Sequence, residues 1–173
     1  MKSVFISHSS LDKRFALRLA NDLKINNIKV WIFEADINIG DSLITELQKA
    51  INKTNFLLVI LSPQAVKSNW VKKEVELALF KEISGKRIKV LPILWKKCEI
   101  PSFLKGKIYA DFQSNQLYEK NFPRLVCKIH NLSANTINEL NVIKKVDKRF
   151  ALKYFISLKH SENRRISRYV FGA

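Results

Sequence analysis

A tryptophan and a glutamate four residues apart, Trp70 and Glu74, are the pair in this sequence best suited to do chemistry. On an α-helix that spacing sets two side chains on one face, roughly 5–6 Å apart at Cβ, so an indole and a carboxylate would look outward together. Val71, Val75, Ala78 and Leu79 follow the spacing of an apolar core stripe, and Glu74 lies about 100° round from Val75, at the border of that stripe. A carboxylate in that position, beside an aromatic and near a helix N-terminus, could grip sugar hydroxyls or steady a developing cation. The same spacing also describes a surface glutamate next to a half-buried tryptophan, and the helix alone leaves both readings open.

Three further stretches carry candidate groups. Residues 7–13, SHSSLDK, place hydroxyls and backbone N–H groups at a helix start, where a phosphate is favoured by unpaired donors and the helix dipole. Plain capping explains the same serines, since Ser9 with Asp12 three residues on resembles a capping box with a shorter acid. Trp31 alternates with Val30 and Ile32 and fits either a packing residue or a stacking platform. The loop of residues 34–42, EADINIGDS, holds Gly40 where a left-handed turn is expected, and Asp41 or Ser42 can cap the helix after it. Its Ile37 and Ile39 either fold back on the domain or offer an apolar contact to another molecule. His8, His130 and His160 are scattered, and no metal-ligand spacing or Ser, His, Asp order emerges. No GxGxxG or Walker loop is present, and the acidic pair of a phosphoacceptor domain is missing after the first strand.

The elements that must hold these residues alternate. Residues 3–7 (SVFIS), 28–33 (IKVWIF), 55–61 (NFLLVIL), 88–94 and 108–112 predict five strands. Helical apolar spacing covers residues 12–24 through Phe15, Ala16, Leu19, Ala20 and Leu23, then Leu43, Leu47, Ala50 and Ile51, then the Trp70 helix after a short loop, then residues 118–129. The near-continuous apolar third strand suits a central parallel strand covered on both faces. The expectation is an α/β, flavodoxin-like, five-stranded parallel sheet in the order 2-1-3-4-5 with helices on both faces. Ligands gather at the carboxyl ends of such strands, the edge that collects residues 7–10, 33–42 and 62–74. Residues 1–132 form this domain. Residues 133–173 loosen into a basic extension with nine basic and three acidic residues. In it Val142, Val146, Phe150 and Tyr154 recur every fourth residue, as in a helical arm, although a frayed terminus fits too.

Composition narrows the classes. With 173 residues and 47% hydrophobic content the chain can bury a core without staples. Two cysteines in no metal or redox spacing, and a start that reads directly into a strand, lead to the expectation of a cytoplasmic protein. The longest apolar run, residues 56–61, is six residues against the ~18 needed to span a bilayer, so no membrane span is expected. The net charge of +16 could attract nucleic acid. It is dispersed and mostly lysine, however, as an AT-rich coding sequence would also produce, and nucleic acid is not expected as a partner.

Together, VFISHSSLDK, VWIFEADINIGDSL and LSPQAVKSNWVKKE resemble, in order and spacing, three signature segments of the Toll/interleukin-1 receptor (TIR) domain family. The resemblance covers about residues 1–130. It implies either an enzyme that cleaves NAD, as a glycohydrolase or ADP-ribosyl cyclase in immune or anti-phage signalling, or a non-catalytic scaffold for homotypic interaction. It implies further that Glu74 is the catalytic carboxylate and that Trp70 shapes the pocket floor. His8, Ser9 and Ser10 then border the substrate, Trp31 flanks the nicotinamide side, Phe33 is a further substrate-binding position, and Asp36, Ile37, Ile39 and Gly40 form an assembly loop. Phe33 stands where an aspartate is common and Ile39 where a proline is frequent. NAD is implied as substrate, with no cofactor and no metal. The implied partners are other TIR domains and a downstream or activating protein.

Overall fold

The computed structural model describes residues 1–34, 54–67 and 88–132 of the chain. Five strands, β1 (Ser3–His8), β2 (Lys29–Glu34), β3 (Phe56–Leu61), β4 (Lys89–Leu94) and β5 (Ala110–Asp111), form one sheet in the order β2-β1-β3-β4-β5. Every pairing is parallel. Three helices are described: α1 (Lys13–Ile25), α2 (Pro63–Lys67) and α3 (Asn115–His130). This is the expected α/β, flavodoxin-like arrangement.

Period-2 alternation sorts the strand residues into two cores. Val4, Ile6, Phe56, Leu58, Ile60 and Ile93 turn to the face covered by α1, through Phe15, Ala16, Leu19 and Leu23, and by α3, through Tyr118, Phe122, Val126 and Ile129. Phe5, Leu57, Val59, Leu61, Val90 and Leu94 turn to the other face, with Leu104 and half-buried Val66 and Phe103. All six residues of β3 are buried, which is why its sequence reads as an unbroken apolar run. Each such side chain contributes on the order of 1.5–3 kcal/mol of burial.

The ends of the helices are fixed by specific residues. Helix α1 gives way to Asn26 and Asn27, and Asn27 takes the left-handed φ of 58° that asparagine tolerates. Helix α3 starts at Ser114, whose side chain accepts from the Leu117 N–H, and stops at left-handed Asn131 (φ 59°). There Leu132 N–H donates to Cys127 O and Asn131 N–H to Lys128 O, a Schellman closure. Leu132 then packs against the first core.

Two local expectations are corrected. The fifth strand pairs only at Ala110 and Asp111, opposite Ile93 and Leu94. A 3-10 turn (Ser102–Leu104) and a Lys107 N–H to Leu104 O bond around Gly106 (φ 91°) occupy the chain just before it, leaving Ile108 outside the ladder and 95% exposed. The loop read after β3 is helical instead: Pro63–Lys67 form α2 directly after Ser62. Serine followed by proline is an N-cap and N1 signature, and Ser62 Oγ accepts from Ala65 N–H at 3.1 Å.

Candidate active site

The carboxyl edge of the sheet brings together three chain segments. From β1 come His8, Ser9 and Ser10, with His8 level with Glu34 on β2 and Ser7 level with Phe33. Beyond β3 comes Ser62, and beyond β4 come Trp95 and Lys96, whose N–H groups both donate to Leu61 O at 3.0 and 3.2 Å. A 3-10 turn (Ser10–Asp12) separates β1 from α1.

His8 is fully buried and Ser9 nearly so, while Ser10 is exposed. His8 Nδ1 lies 2.7 Å from the Ser9 carbonyl oxygen. A carbonyl can only accept, so Nδ1 carries a proton and donates it. His8 Nε2 and Ser9 Oγ are both buried and make no hydrogen bond among the described residues. A buried unmet polar group costs about 1–3 kcal/mol, and two of them at the edge where ligands gather in this fold suit a site that supplies polar partners when occupied.

The capping box read at Ser9 and Asp12 is not formed. Neither side chain makes a cap bond to its helix. The Asp12 carboxylate instead turns across the sheet edge, where its side chain has no exposed surface. Its Oδ2 accepts from Ser62 Oγ at 2.5 Å and its Oδ1 from Lys96 Nζ at 3.1 Å. Beside this group Trp95 lies flat on Phe15, with ring centroids 4.0 Å apart and planes 7° from parallel. Trp95 and Lys96 are not among the candidates the sequence offers, and Asp12 and Ser62 figure there only within the stretches 7–13 and 62–74. For Ser62 the following proline was a usable signal, whereas nothing local distinguishes an aspartate that caps from one that reaches a distant strand.

Trp31 sits lower. It is level with Phe5, three residues or about 10 Å back from the His8 level, between Val30 and Ile32, which lie against the first core. It is 43% exposed and carries the Lys29 ammonium 4.8 Å from its ring centroid. Trp70, Glu74, Asp36, Ile37, Ile39 and Gly40 lie outside the described residues, as does the extension of residues 133–173.

The remaining chemistry is limited. Burial raises the Cys98 thiol, helped by the nearby Asp12 charge, and burial alone raises Cys127, so neither is a ready thiolate. Among the described residues no group of histidine, cysteine or carboxylate side chains could hold a metal ion, and no helix is long and apolar enough to cross a membrane. A cavity of about 430 Å³ opens between Val66 on α2 and residues 99–103 and 105. Another of about 440 Å³ lies at the outer edge of β4, walled by Asn121, Arg124 and Lys128 of α3.

A family model of the TIR domain matches residues 4–126. The chain belongs to the TIR domain family. This TIR domain is 39% identical over 94 residues to the 2' cyclic ADP-D-ribose synthase BtTIR of Bacteroides thetaiotaomicron, a match covering 54% of the chain and 32% of that protein. It is 33% identical over 91 residues to the NAD(+) hydrolase TcpA of a Theionarchaea archaeon, covering 52% of the chain and 27% of that protein. The matches thus span about a third or less of the length of these curated relatives. Among solved structures it resembles the TIR domain of the Toll-related receptor TRR-2 of Hydra magnipapillata, with a TM-score of 0.60 and 25% identity over 72% of this chain and 94% of that one.

Proposed function

We propose that this TIR domain breaks the nicotinamide–ribose bond of NAD, as a glycohydrolase or ADP-ribosyl cyclase. The observation that carries the reading is the identity of 39% and 33% with relatives named for 2' cyclic ADP-ribose synthesis and NAD hydrolysis, in a chain that also has the Trp70 and Glu74 pair. The placement of the other groups supports it. Ser62 leaves the carboxyl edge after β3, the edge at which His8 and Ser9 also lie, and Glu74 follows twelve residues later in the sequence.

The chemistry asks little of the protein. Nicotinamide leaves as a neutral molecule, taking the bonding electron pair to its ring nitrogen, and the ribose passes through an oxocarbenium-like state. In this reading the Glu74 carboxylate bonds ribose hydroxyls and opposes that positive charge, as carboxylates do in glycosidases. Trp70 forms the pocket floor. His8 Nε2 and Ser9 Oγ meet polar groups of the bound dinucleotide, Ser10 lines the rim, Phe33 is a further substrate-binding position, and Trp31, set back along β2, lies on the nicotinamide side. Attack by water then gives linear ADP-ribose, and attack by a hydroxyl of the same molecule gives a cyclic product.

We extend the proposal to assembly. The loop containing Asp36, Ile37, Ile39 and Gly40 docks on a second TIR domain, and turnover in immune or anti-phage defence depends on that contact.

Nicotinamide release from NAD, with mass analysis of the other product, tests the reading. Glu74→Gln is expected to slow release by about 10²- to 10³-fold while leaving the domain folded. A folded Glu74→Gln protein working at the wild-type rate would remove Glu74 from the chemistry. A wild-type protein that releases no nicotinamide alone or at high concentration would favour the scaffold role.

A further inference from the structure

We propose that Asp12 is a positioning residue, whose buried carboxylate, through Ser62, fixes where the chain segment that carries Glu74 leaves the sheet. The inference rests on the NAD-cleaving reading for its kinetic consequence, and on the geometry of the strand ends for its structural one.

Asp12 stands at the start of α1, where its carboxylate could accept from N–H groups of the first turn and gain from the helix dipole. It makes no such bond. The side chain is directed away from solvent and across the sheet edge, to Ser62 Oγ at 2.5 Å and Lys96 Nζ at 3.1 Å. Burial of an ionised carboxylate is costly unless it is paired and bonded. The fold thus forgoes a local cap and uses the charge to tie the start of α1 to the ends of β3 and β4.

The polarity of the link gives it a direction. A serine hydroxyl has one proton. Ser62 donates that proton to Asp12, so its lone pairs are left to accept the Ala65 N–H at 3.1 Å, while Ser62 O accepts the Val66 N–H at 3.0 Å. The carboxylate therefore orients the hydroxyl that caps α2, and Glu74 lies nine residues beyond Ala65. An asparagine at position 12 matches the shape but not the function. It offers one acceptor oxygen where two are used, and its amide N–H₂ would face either a donating hydroxyl or an ammonium. An error of about 1 Å in the placement of a reacting group costs on the order of 10²-fold in rate, so small shifts in the origin of this segment reach the chemistry.

The test compares Asp12→Asn, Ser62→Ala and Ser62→Thr by amide NMR and by steady-state nicotinamide release. Asp12→Asn and Ser62→Ala are expected to speed exchange of the Ala65 amide and to shift the Trp70 and Glu74 amides. They should lower kcat by about 10-fold or more with KM for NAD changed less than about 3-fold, and Ser62→Thr, which keeps the hydroxyl, should recover most of the loss. Unchanged Trp70 and Glu74 amides in a folded Asp12→Asn or Ser62→Ala protein would overturn the proposal, as would a wild-type kcat. If Asp12→Asn does not fold, Ser62→Ala carries the same comparison with the charge retained. If the wild-type chain releases no nicotinamide, the NAD-cleaving reading fails by itself and the amide shifts still decide the tether.

Discussion

The Tyr118 hydroxyl of α3 donates a 2.6 Å hydrogen bond to the buried carboxylate of Asp22 on α1, joining the two helices that cover one face of the sheet. The Arg18 guanidinium lies 4.2 Å from the centre of the same ring, and its Nη1 donates to Asn115 at 3.0 Å. Burial, followed by the Asp22 bond and charge, pushes the Tyr118 hydroxyl well above its usual range. Tyr118→Phe removes a bond to a charged acceptor and leaves Asp22 with one fewer donor. A loss of about 1.5–3 kcal/mol in unfolding free energy is expected by urea titration.

The same shift has a pH signature. Because its folded pKa is raised, Tyr118 contributes stability that is fully present below the unfolded value of about 10 and is lost as pH rises from there toward the folded one. Unfolding titrations between about pH 9 and 11 should show a shallower alkaline decline in Tyr118→Phe than in the wild type. Identical slopes would mean that the phenol ionises alike in both states.

His8 provides a spectroscopic check that needs no turnover. Its Nδ1–H donates to Ser9 O, so ¹⁵N spectra of the ring should show a protonated Nδ1 before any ligand is added. Adding NAD to a Glu74→Gln protein should move the Nε2 resonance more than the Nδ1 resonance. An Nε2 signal insensitive to saturating NAD would remove His8 from the proposed binding surface.

The proposed assembly loop predicts a concentration effect. Wild-type specific activity is expected to rise with protein concentration, because a head-to-tail contact can propagate from copy to copy. Ile37→Asp with Ile39→Asp should abolish both that rise and the accompanying light scattering. A strictly monomeric double variant with full activity would show that one chain suffices.

The end of α3 predicts where the domain closes. The Schellman closure ends α3, and Leu132, just past it, packs against the first core. A chain of residues 1–132 is therefore expected to remain folded with a cooperative thermal transition. Loss of that transition would place residues 133–173 within the fold.

The sheet was legible in the sequence because strand identity depends on local pattern: FLLVIL is apolar on both faces wherever it sits, and both faces of β3 are covered. The strand order followed from the alternation of strands and helices and the handedness of crossovers. Helix α1 was equally plain, since Phe15, Ala16, Leu19, Ala20 and Leu23 repeat at helical spacing and all are buried. The placement of His8 and Ser9 at the carboxyl edge followed from the same order.

What the local pattern could not decide was which partner a polar group would choose. Asp12 reads as a cap in sequence, because a cap needs only neighbours along the chain, but its bonds go to Ser62 and Lys96, 50 and 84 residues away. The truncation of β5 has the same origin. Residues 108–112 have strand-like composition, yet the turn through Gly106 delivers the chain to the ladder only at Ala110. Periodicity records which face of an element is apolar. Only the tertiary structure brings distant strand ends within hydrogen-bond reach and so decides which buried charge is paired with which donor.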